Sequence, residues 1–389
     1  MKKIFTIWIG FLLTGSLQAQ TGLQFADGLV HGIYRTYLLY VPLSYVPGKA
    51  VPLLISLHGF TESGEYQNSL ANFRPIADTA NFIIAMPDGQ PNPQMYNYIG
   101  WNIFPISSGV DDPGFLKKLI DKLSTEYSID ANRVYFTGHS SGAIMSYELA
   151  CSMSDRIAAI APVNGFMFPS FVSSCSPKHP VPVIEIHGTA DPVRNWNGEG
   201  PVTQAVNMDT LISYWVRFNG CSPVPKLDTL PNINTSDFSW VQHYTYSGGR
   251  FGSSVELYKV INGGHTWPGS SVLEPYGNTN KDFNACAVIW RFLSKYRLNR
   301  LNNIDEIQTA AEPFLVFPSP VNNVLTIQAM GSAAIRKIQI YTILGQEMLQ
   351  INDPVTPKSV SLDTSIWEKG IYVIRVTDGT NSFPYRVIK

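Results

Sequence analysis

The feature that most constrains the fold is the pentapeptide Gly138-His139-Ser140-Ser141-Gly142, read together with the segments on either side of it. Two glycines bracketing a serine at this spacing let the backbone reverse sharply from strand to helix and hold the central side chain at a strained, exposed apex. The spacing alone is a weak signal, and the flanks supply the rest. Val134-Tyr135-Phe136-Thr137 is a β-branched and aromatic run before the turn, and Ala143-Ile144-Met145-Ser146-Tyr147-Glu148-Leu149 favours helix after it. The first amide of that helix, on Ser141, sits at its positive end, where a developing oxyanion is stabilised. A chain organised around such a turn needs a sheet to hold the strand and a covering layer to receive the helix, which predicts an α/β fold.

The flanking sequence repeats that alternation. Short apolar runs at Tyr37–Val41, Pro52–Leu57, Phe82–Met86, Arg133–Thr137, Ile157–Val163, Val181–Ile186 and Val255–Val260 read as strands. Pro113–Tyr127, Ser141–Cys151, Asp209–Phe218 and Cys286–Tyr296 have helical periodicity. Near-continuous apolar strands alternating with helices predict a mostly parallel sheet flanked by helices. At 389 residues the chain exceeds what one core usually organises. The character changes after Leu298: residues 299–313 read as a linker. Val324–Gln328, Ile335–Tyr341, Val360–Leu362, Ile371–Val376 and Tyr385–Ile388 then alternate apolar and polar residues, with turns at Leu344-Gly345-Gln346 and Glu368-Lys369-Gly370. A small β-sandwich over 314–389 accounts for this pattern. The expected order is thus an α/β domain over 20–298, the linker, and the β-domain.

Ahead of them, Lys2-Lys3, the apolar run Ile4–Leu13 and the stretch Gly15–Gln20 form a signal peptide over 1–19, too short in its apolar part to span a membrane. Export takes Cys151, Cys175, Cys221 and Cys286 into an oxidising compartment, so two disulfides are expected. Of three pairings we favour Cys151 with Cys175 and Cys221 with Cys286, because the first two bracket one strand-and-loop segment. A formal net charge of -1 supplies no basic field for nucleic acid, and the chain is expected to act as a monomer.

A serine is a weak nucleophile at neutral pH; it needs a histidine to take its proton and a carboxylate to hold that histidine. In folds built on this elbow the chain order is serine, acid, histidine. Asp191 in Ile186-His187-Gly188-Thr189-Ala190-Asp191-Pro192 and His265 in Gly263-Gly264-His265-Thr266-Trp267-Pro268-Gly269 each follow a predicted strand and satisfy that order. The loop opened by His58-Gly59 follows the strand expected beside the elbow strand, so the Phe60 amide is the second expected oxyanion donor, alongside Ser141. His139 is held within the elbow, and His187 ends a strand; both read as structural. Asp111 and Asp112 precede Ser140 and read as caps of the helix beginning near Pro113.

Metal-ligand spacings such as H-E-x-x-H or paired CxxC are absent, as is a glycine-rich phosphate loop after the first strand. Neither a metal nor a cofactor is therefore expected. The aromatic residues Tyr96, Tyr98, Trp101, Phe166, Phe168, Trp196 and Trp267 lie near predicted loop ends; Trp101 and Trp267 are the better candidates for a substrate-lining rim.

With these residues in place, Gly264-His265-Thr266-Trp267-Pro268-Gly269 resembles the histidine signature of the secreted polyhydroxybutyrate depolymerase and feruloyl esterase-like family. Leu57-His58-Gly59, Gly100-Trp101-Asn102, Asp130–Gly142, Ile186–Asp191 and Val288-Ile289-Trp290-Arg291-Phe292 extend the resemblance over about Gly32–Tyr296. The chain departs from the pattern at Phe60, where cysteine is frequent, and at Ser141, where alanine is frequent. The resemblance implies an α/β-hydrolase fold and hydrolysis of an ester substrate, polymeric or small: a polyester, or feruloyl and acetyl esters of polysaccharides. A serine peptidase with the same three residues, or a catalytically silent carbohydrate- or surface-binding protein, are the alternatives. Phe317-Pro318-Ser319-Pro320-Val321, Ile340-Tyr341, Leu344-Gly345-Gln346 and Lys369-Gly370-Ile371-Tyr372 resemble the sorting domain of the type IX (Por) secretion system. That resemblance implies passage through the outer-membrane machinery to a secreted or surface-attached state.

Overall fold

The computed structural model describes residues 21–30, 33–92, 97–103, 110–199, 205–298, 313–318, 320–330, 333–342, 346–354, 358–379 and 381–389. The expected signal peptide, nearly all of the linker, Tyr96 and the Leu344-Gly345 turn lie outside them. The chain divides into two compact units, Met1–Asn302 and Asn303–Lys389.

The first unit is built on one sheet. Its strands are β1 (Gly22–Val30), β2 (Ile33–Val41), β3 (Val51–Leu57), β4 (Ile83–Pro87), β7 (Ile129–His139), β8 (Ala159–Val163), β9 (Val183–Gly188), β10 (Lys226–Thr229), β11 (Trp240–Tyr246) and β12 (Val255–Ile261), and a separate hairpin pairs β5 (Gln90–Asn92) with β6 (Tyr98–Gly100). The spatial order is β1-β2-β4-β3-β7-β8-β9-β12-β11-β10. From β4 through β12 neighbouring strands run parallel, and antiparallel strands extend both margins. The parallel strands are buried on both faces, which is why Val51-Pro52-Leu53-Leu54-Ile55-Ser56-Leu57 reads as a continuous apolar run.

Helices α3 (Asp112–Glu126), α4 (Ser141–Ser152) and α6 (Met208–Asn219) pack on one face through Leu119, Leu149, Trp215 and their neighbours. On the other face lie α1 (Gly64–Leu70), α2 (Arg74–Ala80) and α7 (Ala285–Leu293), through Leu70, Phe73, Ile289 and Phe292. A short helix, α5 (Pro169–Ser174), precedes Cys175. Asp111 caps α3, accepting from the Gly114 amide at 2.8 Å. Asp112 does not share that role. It is buried against Arg35, 2.6 Å from its guanidinium, and accepts the Asn102 amide at 2.7 Å, because a carboxylate taken out of water must be paired.

Of the two expected disulfides one forms: Cys151, at the end of α4, is bonded to Cys175. The expected Cys221–Cys286 bond does not form, and both thiols are free and buried. The reason is topological. Cys221 follows α6 and belongs to the core on one face of the sheet, whereas Cys286 lies on α7 in the core on the opposite face. The sheet itself separates them.

The second unit holds two antiparallel sheets, β13 (Phe314–Phe317), β14 (Val324–Ala329) and β17 (Ser359–Asp363), and β15 (Lys337–Thr342), β16 (Glu347–Asn352), β18 (Ile371–Thr377) and β19 (Ser382–Ile388). Phe314, Leu325, Ile327 and Leu362 from the first sheet share a core with Ile338, Ile340, Ile374 and Val387 from the second. That alternation of buried and exposed residues is the pattern of a sandwich.

Candidate active site

Ser140 stands between β7 and α4 with φ 54° and ψ -114°, a conformation that costs a non-glycine residue energy and persists only when its surroundings enforce it. They do so through backbone packing. Its amide donates to the Val163 carbonyl at 3.0 Å, and its carbonyl accepts from Ala143 and Ile144 at the start of α4. A Cβ on Gly142 would stand 2.3 Å from the Leu57 carbonyl oxygen, and one on Gly138 would meet Gly142 at 2.5 Å. The two glycines of the motif are therefore required by close approach to the end of β3.

The carboxyl ends of β3, β7, β9 and β12 carry, in order, the loop with Phe60, the Ser140 turn, the Asp191 loop and the His265 loop. Parallel neighbours bring these loops to one edge of the sheet. A Cβ on Gly188 would meet the Gly263 and Gly264 carbonyls at 2.3 and 2.4 Å, so the acid and histidine loops pack backbone to backbone. The His265 loop is further held by its own amide, which donates to the Tyr276 carbonyl at 2.8 Å.

His265 Nδ1 lies 2.6 Å from Asp191 Oδ2, both residues being buried. The other carboxylate oxygen accepts the Val193 and Arg194 amides, each at 2.8 Å. Burial alone would raise the Asp191 carboxyl, but the bond and charge of His265, then His187 and the Arg194 amide, hold it below its usual value. It is thus an anion with His265 Nδ1–H donating to it, which leaves Nε2 as the basic nitrogen. The His265 ring lies 4.9 Å from the ring of His139, the residue preceding Ser140.

The loop after β3 is fixed from both sides of Gly59. His58 Nδ1–H donates to the Gly59 carbonyl at 2.6 Å, and that carbonyl shares its peptide plane with the Phe60 amide. His58 Nε2 accepts the Gly89 amide at 2.8 Å, and Glu62 accepts the Gly59 amide at 2.7 Å. Burial lowers the His58 pKa, which keeps this two-sided neutral arrangement. Neither the Phe60 nor the Ser141 amide donates to another described residue. Two N–H groups of this kind can receive an oxyanion.

His187 is structural in its contacts. Fully buried, it faces Glu185 at 3.1 Å and the Arg194 carbonyl at 3.2 Å. Glu185 in turn accepts from Tyr147 at 2.7 Å and from the Gly165 amide at 3.0 Å, so it braces the acid loop from beneath. Asn164, at φ 52°, donates to the Thr266 carbonyl at 2.9 Å and accepts the Gly188 amide, joining the two loops again.

Trp101 and Trp267 do not line a rim: both are buried. Trp101 Nε1 donates to the His58 carbonyl at 2.9 Å and its ring lies against the His58 imidazole, so it supports the loop after β3. Trp267 packs edge-on to Phe73 in the core beneath α2. Phe166 and Phe168 are likewise buried. The exposed aromatic surface near Gly59 is Phe60 with Tyr98, 5.7 Å apart edge to face, and Tyr276 stands beside His265. An indole offers enough apolar surface that burial competes with any loop-tip position.

Several residues of this site went unread in the sequence. Glu185 carries a signal in retrospect, a carboxylate inside the apolar run Val183–Ile186. Glu62 and Glu274 carry none, lying in polar loops far apart. Burial pushes each of their carboxyls up to about 7, and both face His139.

A parallel sheet whose neighbouring strand ends present a strained serine, a carboxylate-bound histidine and two free amides defines an α/β-hydrolase. Residues 47–206 match the phospholipase/carboxylesterase family, and residues 315–389 match the secretion system C-terminal sorting domain. The chain therefore has an α/β-hydrolase fold with a stretch that matches an esterase family, and a C-terminal stretch that matches a sorting domain, the mark of export to the cell surface or beyond.

Among curated proteins it is similar to a bifunctional acetylxylan esterase/xylanase of Neocallimastix patriciarum, 32% identical over 165 residues, 42% of this chain and 22% of the relative. It is similar to feruloyl esterase B of Piromyces equi, 28% identical over 239 residues, 59% of this chain and 42% of the relative. It is similar also to poly(3-hydroxyalkanoate) depolymerase C of Paucimonas lemoignei, 24% identical over 272 residues, 64% of this chain and 63% of the relative. The chain spans less than half the length of the first two.

Proposed function

We propose that the chain is an exported serine carboxylic-ester hydrolase whose nucleophile is Ser140, with His265 as general base and Asp191 as the carboxylate that orients it. The 2.6 Å bond between Asp191 and His265, formed at the edge of the sheet where the Ser140 turn projects, carries this reading. His265 Nε2 takes the Ser140 hydroxyl proton as the oxygen attacks the ester carbonyl. The Phe60 and Ser141 amides receive the oxyanion, and the imidazolium returns its proton to the departing alcohol. Water, deprotonated by the same histidine, then releases the acid and restores Ser140.

Three named activities among the relatives, on acetylated xylan, feruloyl esters and polyhydroxyalkanoate, support an acyl ester of a polysaccharide or a polyester as substrate. The catalytic domain spans 20–298, and 299–313 links it to a domain over 314–389 that engages the type IX outer-membrane machinery. Labelling with a fluorophosphonate followed by peptide mapping tests the chemistry. The expected adduct is on Ser140, and an unlabelled Ser140 in folded protein contradicts the assignment. Parallel assays on methyl ferulate, acetylated xylan, polyhydroxybutyrate and a short nitrophenyl ester identify the substrate class.

A further inference from the structure

Beside the Ser140 turn, three ligand-type side chains from three separate elements converge. Glu62 comes from the loop after β3, His139 ends β7, and Glu274 follows His265 in its loop; each offers one oxygen or ring nitrogen within 4.8 Å of the other two. Glu62 accepts the Gly59 amide at 2.7 Å, and Glu274 Oε2 accepts the Trp267 amide at 3.1 Å. The second oxygen of Glu274 faces His139 Nδ1 at 3.9 Å, with both side chains only 2% exposed. His139 Nδ1 is buried and makes no hydrogen bond. Neither carboxylate has a lysine or arginine partner among the described residues.

Such a group is costly as it stands. Two carboxylates drawn together out of water repel each other, and an unpartnered ring nitrogen forfeits a hydrogen bond. A divalent cation satisfies all three at once. Three atoms no more than 4.8 Å apart have a common point within about 2.8 Å of each, so shifts of about 0.7 Å bring them to the usual Zn–N and Zn–O lengths.

We propose that Glu62, His139 and Glu274 bind a first-row divalent metal ion, with Zn²⁺ the ion this ligand set suits, separately from the Ser140 chemistry. One imidazole and two carboxylates is a donor set for such ions, completed by water. Binding at Nδ1 takes the neutral ring in the tautomer with its single proton on Nε2, so no proton leaves the ring; that N–H faces the Asn164 Nδ2 group, itself a donor, at 3.5 Å, and the ring has to turn slightly away from it as the metal binds. The ion would clamp the oxyanion loop, the elbow and the histidine loop to one another, a positional role rather than a chemical one.

The test uses the untagged mature chain, stripped with chelator and titrated with ZnCl₂ against a chromophoric competitor near pH 7.5, with thermal unfolding in parallel. The expected result is one equivalent of zinc and a Tm that rises with zinc concentration. Affinity should fall at least tenfold in both Glu274→Gln and Glu62→Gln, and stay unchanged in Glu65→Gln, an exposed carboxylate on the neighbouring helix. Two variants guard against misfolding of either, and circular dichroism verifies each. Wild-type protein that takes up no zinc overturns the proposal, as does wild-type affinity retained in both glutamine variants.

Discussion

Replacing Asp191 with asparagine isolates one proton without disturbing the loop that carries it. The two Asp191 oxygens are engaged differently, one by the Val193 and Arg194 amides at 2.8 Å each, the other by His265 Nδ1 at 2.6 Å. In Asp191→Asn the two backbone donors select the side-chain oxygen, so the NH₂ group is turned toward His265. A donor then faces Nδ1, which must give up its proton and accept; the proton moves to Nε2, and the ring can no longer take one from Ser140. Loss of the correct tautomer in such a triad costs about 10⁴ in kcat, equivalent to about 5 kcal/mol of barrier. The loop keeps its backbone bonds, so the stability loss should stay at about 1–2 kcal/mol. Turnover of a short nitrophenyl ester and urea unfolding measure the two quantities. A folded Asp191→Asn protein with more than a tenth of wild-type kcat would refute the role given to Asp191.

The Cys151–Cys175 bond closes a loop with a sequence separation of 24, and removing it as the Cys151→Ser, Cys175→Ser pair should cost about 3 kcal/mol in denaturant unfolding; an unchanged midpoint contradicts this. Cys221 and Cys286 should be inert to a thiol reagent in native protein and should both react once it is unfolded without reductant; fewer than two titratable thiols would mean that they pair. Glu148 is pushed up to about 7, first by burial and then by the charges of Asp112 and Asp111. An acid raised in the folded state contributes stability below its unfolded pKa of about 4.5 and loses it as pH rises through about 7. Glu148→Gln should therefore gain on wild type between pH 5 and 8, by about 3 kcal/mol at most; a constant difference across that range would show that the carboxyl titrates normally.

Strands buried on both faces were the legible part of the fold. β3, β4, β8 and β9 are wholly buried and stand out as apolar runs. The marginal strands β1, β10 and β11 and the exposed β16 went unread, because half-exposed strands mix polar residues into the run and resemble loops. The short helices α1, α2 and α5, of 6 or 7 residues, are too brief for periodicity to register. Chain order and strand-end position point to Ser140, Asp191 and His265, and the structure brings Asp191 and His265 within 2.6 Å of each other. What chain order cannot convey is which face of the sheet a residue occupies, and this is why Cys221 and Cys286 were paired wrongly. Nor does it convey depth: the loop positions of Trp101 and Trp267 suggest a rim, whereas both indoles are buried.

The most direct measurement is kcat/KM for a short nitrophenyl ester in wild-type protein and in Ser140→Ala, with matched circular dichroism. The elbow geometry and the Asp191–His265 bond predict a fall of at least about a thousandfold with the fold intact. Hydrolysis by folded Ser140→Ala within tenfold of wild type would contradict the assignment of Ser140 as nucleophile.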